Sequence, residues 1–325
     1  MSDYSILDAD SFAQVQVQTI GLSSGPSPLR ELFIYTSLIC NKQCSHCFVS
    51  SSPTNRILDE MTARDLRPIL DQATGQGLAD IYFTGGEPFL SRDMDSMLEA
   101  AMEMAPVTVY TNATEPLEKS LRKGLPDINV AHVNKHGRPI HLRISIDHYE
   151  AEIHDIYYAR GKGAFEKTLQ VASLAYSQGF TISVNTQEDL HNRANTRQAE
   201  RFLRNRFAEM GVDLYDVKVL PDIPTGNQQN RTISSETPVS PAEFAASGAR
   251  RENLMCGAGR TVVKLQGNVQ IFPCTLLVPH DAKTLHEFQK YMMGSSLSQS
   301  LGVAATLDHP SCRAYCVKGK MTCAN

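Results

Sequence analysis

The chain has 325 residues, 42% of them apolar, and a formal charge of −4 with no cluster of basic residues. Its length suits one large domain and a smaller one, and its charge balance excludes a general nucleic-acid surface. Met1 to Gln18 is polar and mildly acidic, and no stretch approaches the length of a membrane span, so neither a signal peptide nor a membrane anchor is expected; the expected location is cytoplasmic, where thiols stay reduced.

Residues 1–29 read as a lead-in, punctuated by Ser23, Ser24, Gly25, Pro26, Ser27 and Pro28. A first strand is predicted at Leu32 to Leu38. A helix follows over Thr62 to Gly75, where Leu66, Ile69, Leu70 and Ala73 recur at helical spacing. Ala79 to Phe83 is the second strand. Asp93 to Met104 is the second helix, its methionines serving as core filler. Val107 to Thr111 is the third strand, with a short helix near Pro116 to Arg122. Residues 125–139 are polar and read as a loop-like insertion. Ile140 to Ile146 alternates as a fourth strand, followed by helical segments at Glu150–Tyr158 and Ala164–Gln178. Phe180 to Asn185 is the fifth strand, Thr196 to Met210 a helix, and Leu214 to Leu220 the sixth strand. Strands alternating with helices over short connections argue for right-handed βαβ units and a parallel sheet. Six units are too few to close an eight-stranded barrel. The expected fold class is α/β: a partial (β/α)6 TIM-like barrel over residues 30–222, with ligands at the C-terminal ends of its strands.

Residues 223–255 read as a linker and helix, since Asp222 to Pro241 is rich in Pro, Gly, Asn, Gln and Ser, and Ala242 to Leu254 is predicted helical. Residues 256–325 form a small C-terminal cysteine-rich domain. Within it Thr261–Leu265 and Val269–Phe272 read as a hairpin turned at Gly267-Asn268, and Leu285 to Met293 as a helix. The tail through Cys323 has no core pattern of its own and must be tied down, which thiolate–metal bonds can do.

The densest chemistry follows the first strand, in Cys40-Asn41-Lys42-Gln43-Cys44-Ser45-His46-Cys47. Thiolates are soft ligands suited to iron–sulfur clusters, copper(I) or zinc. Tetrahedral zinc wants a fourth protein ligand, and His46 is awkwardly trapped between two cysteines for that purpose. A four-iron cluster tolerates three cysteines if a substrate or cofactor takes the remaining iron. A zinc knuckle, or three buried thiols acting as small hydrophobes, is the alternative.

Cys40, Cys44 and Cys47, with Phe48 behind them, resemble the CxxxCxxC motif of radical S-adenosylmethionine enzymes. Thr84-Gly85-Gly86-Glu87-Pro88 after the second strand resembles that family's GGEP motif. The resemblance covers roughly residues 30–222. It implies a [4Fe-4S] cluster on the three thiolates, whose fourth iron is chelated by S-adenosyl-L-methionine, and reductive cleavage to a 5′-deoxyadenosyl radical. It implies cofactor contacts for Gly85, Gly86 and Glu87 at the methionine ammonium, for Asn112 at the third strand end, and for Ser145 and Asp147 in a Ser-x-Asp segment. Arg160, in Arg160-Gly161-Lys162-Gly163, and Asn185 at the fifth strand end are further candidates. Ala113 departs from the family's Thr-Asn-Gly. An Asx-turn for Asn112, helix capping for Asp147 and Asn185, and surface solvation for Arg160 are the plainer readings. His148 and His154 read as helix-start and surface residues.

A second set, Cys256, Cys274, Cys312, Cys316 and Cys323, lies more than two hundred residues downstream. Cys256-Gly257-Ala258-Gly259, Gly267 and Pro273-Cys274 resemble the twitch or SPASM auxiliary-cluster domain. The tail has fewer cysteines than full SPASM and a three-residue gap where that pattern has CxxC, so one auxiliary [4Fe-4S] cluster is expected. Cys256 and Cys274 are its surest ligands, with two of the last three completing it. The surplus thiol, one of Cys312, Cys316 and Cys323, is idle or a hydrogen donor to a substrate radical. Four thiolates suit structural zinc equally well.

The resemblance implies an enzyme that abstracts hydrogen from carbon. With little sequence ahead of the first strand and no recognition module in view, the expected substrate is a small polar metabolite, sugar or aminocyclitol-like, undergoing dehydrogenation or epimerisation. Maturation of a ribosomally made peptide is the alternative, and a non-catalytic iron–sulfur scaffold a third. A flavodoxin- or ferredoxin-like electron donor is expected as partner, and no nucleic acid or membrane. The sequence does not specify the oligomeric state.

Overall fold

The computed structural model describes residues 19–20, 29–187, 196–220, 225–227, 241–248, 254–312 and 315–316. A short strand β1 (Thr19–Ile20) pairs antiparallel with β10 (Ala305–Thr306). The main sheet begins with six parallel neighbours: β2 (Glu31–Tyr35), β3 (Asp80–Thr84), β4 (Val107–Thr111), β5 (His141–Ser145), β6 (Thr181–Gln187) and β7 (Asp216–Leu220). These are the six predicted strands, and they form an open partial barrel. They were readable because strands covered on both faces carry near-continuous apolar runs.

The helix α1 (Ala63–Ala73) starts at a reciprocal capping box between Thr62 and Asp65, and buries Ala63, Leu66, Ile69, Leu70 and Ala73 against the sheet. Next come α2 (Met94–Met102) and α3 (Glu115–Leu121). Residues 125–139, expected as a loop, instead hold α4 (Leu125–His136), ended by Gly137 in the left-handed region. Its inward face is half polar, which hid it. Asn129 Oδ1 accepts from Ile140 N at 2.8 Å, and His132 Nε2 accepts from Val107 N at 2.9 Å. These buried side chains bond to strand backbone where apolar residues would ordinarily mark a helix. Between β5 and α5 (Ala164–Ser177), the expected helix is a π-type turn, Ile153–Tyr157. The helix α6 (Thr196–Glu209) leads to β7.

Of the predicted helix Ala242–Leu254 the described residues hold α7 (Pro241–Ser247), residues 249–253 lying outside the described set; a separate turn, α8 (Met255–Ala258), begins after its predicted end. The predicted hairpin is β8 (Gly259–Leu265) and β9 (Asn268–Phe272), and it extends the barrel sheet. Strand β8 runs parallel to β2, giving the order β7-β6-β5-β4-β3-β2-β8-β9. The turn is Gln266–Gly267, one residue earlier than expected, with φ of 51° and 78°. Positive φ at both positions matches the right-handed twist of the flanking strands, and glycine supplies one of them without strain. The capping box of Asp281 with Thr284 begins α9 (Ala282–Glu287) ahead of the predicted start, and a 3₁₀ turn, Phe288–Tyr291, completes it. A short helix, α10 (Leu297–Leu301), follows.

Two apolar cores result. One lies between sheet and helices. The other joins Phe33, Tyr35 and Tyr82 of the barrel to Leu276, Leu277, Phe288 and Tyr315, and contains Cys256, Cys274, Cys312 and Cys316. No helix among the described residues is long and apolar enough to cross a membrane.

Candidate active site at the strand ends

The chain leaves β2 into the first cysteine loop, which its own backbone holds in place. Ile39 and Ser52 form a parallel bridge, Cys40 N donates to Ser52 O at 3.1 Å, and Cys47 N donates to Cys44 O at 3.2 Å. Two backbone N–H groups point at sulfur: Lys42 N to Cys40 Sγ at 3.4 Å and Ser51 N to Cys47 Sγ at 3.3 Å. Such bonds stabilise thiolate charge and tune a bound cluster. In the protein alone, burial pushes the Cys40 thiol up to about 12 and raises Cys44 further, so loading a metal releases protons.

Gly85 and Gly86 press against this loop rather than against open space. A Cβ on Gly86 would stand 2.0 Å from Ile39 O, and one on Gly85 2.2 Å from Ser37 O. Gly86 N donates to Ser37 O at 2.9 Å and Glu87 N to Ile39 O at 3.0 Å. Only glycine permits that approach. The Glu87 carboxylate turns inward, accepting from Thr111 Oγ1 at 2.8 Å, Asn112 N at 2.8 Å and Phe89 N at 3.3 Å. Burial pushes it up to about 7, against the pull of these donors. Asn112 both makes the Asx-turn, accepting from Thr114 N at 3.1 Å, and reaches the loop, donating to Asn41 Oδ1 at 2.8 Å. Ala113, where the family has glycine, takes φ of 50°.

A buried charge network closes the other side. Asp147 accepts from Arg160 through Nε and, at 2.9 Å, through Nη2, and Asp147 Oδ1 lies 2.9 Å from His46 Nε2. Burial alone would raise the Asp147 carboxyl, but Arg160 and His46 overrule it and hold it well below the usual carboxylate range. His46 Nδ1 is buried without a hydrogen-bond partner among the described residues, and its ring meets Tyr158 edge-on at 4.7 Å. His148 and His154, expected as helix-start and surface residues, are both buried; His148 Nδ1 accepts from Glu150 N at 3.0 Å at the start of the helical segment, and Asp147 N donates to His154 Nδ1 at 3.1 Å. The π-type turn explains this: it swings His154 inward and presents the Tyr157 and Tyr158 carbonyls to Ser45.

A cavity of about 180 Å³ gathers these groups. Its lining includes Cys40, Cys44, Cys47, Gly85, Gly86, Asn112, Ser145, Asp147, Arg160 and Asn185, which are the sequence-predicted site residues of the barrel apart from Glu87, which sits behind the wall. Sequence reasoning missed His46 as a lining residue, Gln187, Lys218 and Leu220 from the last two strands, and Thr275, Leu276 and Tyr315 from the C-terminal segment. It also missed Asn227, which donates through N to Cys47 O at 2.8 Å and through Nδ2 to Cys44 O at 2.9 Å. The period-two pattern could have flagged Gln187 and Lys218, polar residues on the inward face of buried strands. Nothing local marks Asn227.

The second cysteine set converges separately. Cys256, Cys274, Cys312 and Cys316 line one small cavity with Met255, Pro273, Leu276, Leu277 and Leu307. Cys323 lies outside the described residues. Tyr35, at the end of β2, donates to Thr275 O at 2.9 Å and so ties the two regions together. Among the described residues no three His, Cys, Asp or Glu side chains converge as ligands of a single metal ion do. A lone zinc gathers sulfurs about 2.3 Å from one point, whereas a four-iron cluster spreads its ligands around a larger body. The donor chemistry fits clusters at both positions: three thiols lining a cavity in the first, four thiols in an apolar pocket in the second.

An open parallel half-barrel with three loop thiols after its first strand, a glycine pair clamped on that loop, and a cavity at the strand ends defines a radical S-adenosylmethionine enzyme. Residues 34–202, more than half of the chain, match the Radical SAM superfamily, and the chain belongs to it. The family uses a [4Fe-4S] cluster and S-adenosylmethionine. The antilisterial bacteriocin subtilosin biosynthesis protein AlbA of Bacillus subtilis is 24% identical over 326 aligned residues, covering 94% of this chain and 67% of AlbA. The mycofactocin maturase MftC of Mycobacterium tuberculosis is 26% identical over 322 residues, covering 86% of this chain and 76% of MftC. The crystal structure of Streptococcus suis SuiB bound to precursor peptide SuiA has the same fold, with a TM-score of 0.55 at 17% identity, covering 93% of this chain and 74% of that one.

Proposed function

We propose that this chain is a maturase that modifies a ribosomally made peptide by abstracting hydrogen from carbon. The observation that carries the reading is the cavity: its barrel half holds the loop thiols, and its other half is closed by Thr275, Leu276 and Tyr315 of the segment that carries the second thiol set. The names of AlbA, MftC and the SuiB–SuiA complex point the same way, while none of them supports the small polar metabolite expected from sequence.

Cys40, Cys44 and Cys47 would hold the first cluster, and Cys256, Cys274, Cys312 and Cys316 an auxiliary one. With S-adenosylmethionine bound there, the first cluster would supply the one electron that cleaves the sulfonium to methionine and a 5′-deoxyadenosyl radical. The chain's own residues bind and orient. Gly85, Gly86 and Asn112 fix the cysteine loop, and Ser145, Asn185 and the Asp147–Arg160 pair border the cofactor's side of the cavity. Gln187, Lys218, Leu220 and Tyr315 border the substrate's side. A flavodoxin- or ferredoxin-like protein would deliver the electron.

The test is anaerobic turnover of the reconstituted enzyme with candidate precursor peptides and, separately, with sugar-like metabolites. Peptide-dependent 5′-deoxyadenosine with a mass change on the peptide is the expected result. Turnover elicited by metabolites and not by peptides would overturn the peptide assignment. No 5′-deoxyadenosine from a fully loaded enzyme would instead point to a non-catalytic scaffold.

A further inference from the structure

Arg260 heads the fully buried side chains by size, at 0% exposure. It lies at the start of β8, four residues after Cys256. Its five N–H donors all go to backbone carbonyls. Nε reaches Ser300 O at 3.3 Å; Nη1 reaches Cys256 O at 3.0 Å and Gly259 O at 2.7 Å; Nη2 reaches Ser300 O at 3.0 Å and Val303 O at 3.3 Å. Hydrogen bonding is therefore complete, and no donor is left for a carboxylate. Charge is not complete, because among the described residues no carboxylate pairs with it. Carbonyls are neutral dipoles, and a guanidinium taken out of water without an anion is strongly destabilising.

Nothing in the barrel chemistry requires this cation, so its anion has to be sought nearby. Its carbonyl cage includes Cys256 itself, and the helix α8 that carries Cys256 runs directly into the strand that carries Arg260. We infer that Arg260 is the countercharge of an anionic iron–sulfur cluster held by Cys256, Cys274, Cys312 and Cys316. The inference rests on the auxiliary-cluster reading above and goes beyond it by assigning a charge partner. A cluster on four thiolates carries net negative charge that grows on reduction, and net charge and burial are what set its potential. A fixed, desolvated cation bonded to the backbone of one cluster ligand favours the reduced state. Because these four carbonyls also tie α8, Gly259 and the Ser300–Val303 segment together, the cation is fixed relative to the segment that carries Cys256.

The experiment uses the full-length chain, reconstituted with iron and sulfide, in a Cys40/Cys44/Cys47→Ala background so that the auxiliary cluster titrates alone. The readout is its midpoint potential by EPR-monitored redox titration, with iron per chain measured alongside. Arg260→Met and Arg260→Gln should each lower the reduction equilibrium constant at least tenfold, about 59 mV for one electron. Arg260→Lys, which keeps the charge, should retain most of the wild-type value. A folded, four-iron Arg260→Met chain at the wild-type midpoint would overturn the assignment while leaving the auxiliary cluster in place. If neither neutral variant folds with its irons, Arg260→Lys decides. A loaded and folded Arg260→Lys chain supports the charge, and one as defective as the neutral pair shows that only the carbonyl cage matters. If the parent background itself binds zinc or no iron, the auxiliary-cluster reading falls and this assignment falls with it.

Discussion

Replacing Asp147 with asparagine keeps the side chain's shape and removes its charge. In the wild-type chain that carboxylate is 3% exposed, and it takes two bonds from Arg160 and lies against His46 of the cysteine loop. The substitution leaves the Arg160 guanidinium, 9% exposed, without its hydrogen-bonded carboxylate, and turns an amide N–H toward a cation. Removing one partner of a buried ion pair costs about 3–5 kcal/mol, roughly two to four powers of ten in the population of the closed site. Arg160→Met should cost a similar amount by stranding Asp147. The double variant should cost clearly less than the sum of the singles, since neither charge is then left alone. Urea denaturation at matched cluster loading measures the cycle, with iron content and S-adenosylmethionine affinity measured on the same samples. Two single variants within about 1 kcal/mol of wild type, combining additively, would refute the argument. Such variants with weakened cofactor binding would show that Asp147 acts on the cofactor directly rather than by fixing the loop.

Gly86→Ala drives a Cβ into the Ile39 carbonyl, 2.0 Å away, and rigid backbone must move; overpacking of about 1–3 kcal/mol and loss of iron from the first site, with the second retained, are expected, and full iron at wild-type stability would contradict it. Asn227→Ala removes the bond to Cys44 O, a loss of about 0.5–1.5 kcal/mol, and should speed loss of the first cluster to chelator while leaving the second unchanged. Glu31 is pushed up to about 7 from 4.5, chiefly by burial and then by Asp80. Its folded form thus holds a proton that the unfolded chain releases, so stability is fully present below 4.5 and is lost as pH rises through about 7. Glu31→Gln should therefore stabilise the protein at pH 8 by at most about 3 kcal/mol, less where water screens the carboxyl, and by nothing at pH 4; a pH-independent increment would refute the linkage.

The local sequence determined the barrel. Short segments rich in β-branched and aromatic residues at Leu32–Tyr35, Ile81–Phe83 and Val107–Val109, set between helical patterns, read as strands covered on both faces, and the thiols and glycines that follow them announce their chemistry by type and spacing. Elements whose buried face is polar escaped, as α4 did, because Asn129 and His132 look like surface residues until their backbone partners are known. Tertiary structure decided the rest. His46 and Asp147 are 101 residues apart in sequence and 2.9 Å apart in space. The two C-terminal strands join the barrel edge, and four thiols spread over residues 256–316 gather around one pocket. Asn227, in a segment that reads as a linker, bonds to the cysteine loop. The physical reason is common to all of these. Periodicity and turn chemistry act over a few residues and are written in order along the chain, whereas the pairing of buried charges, the packing of a glycine against a distant carbonyl and the convergence of ligands depend on which surfaces the sheet brings together.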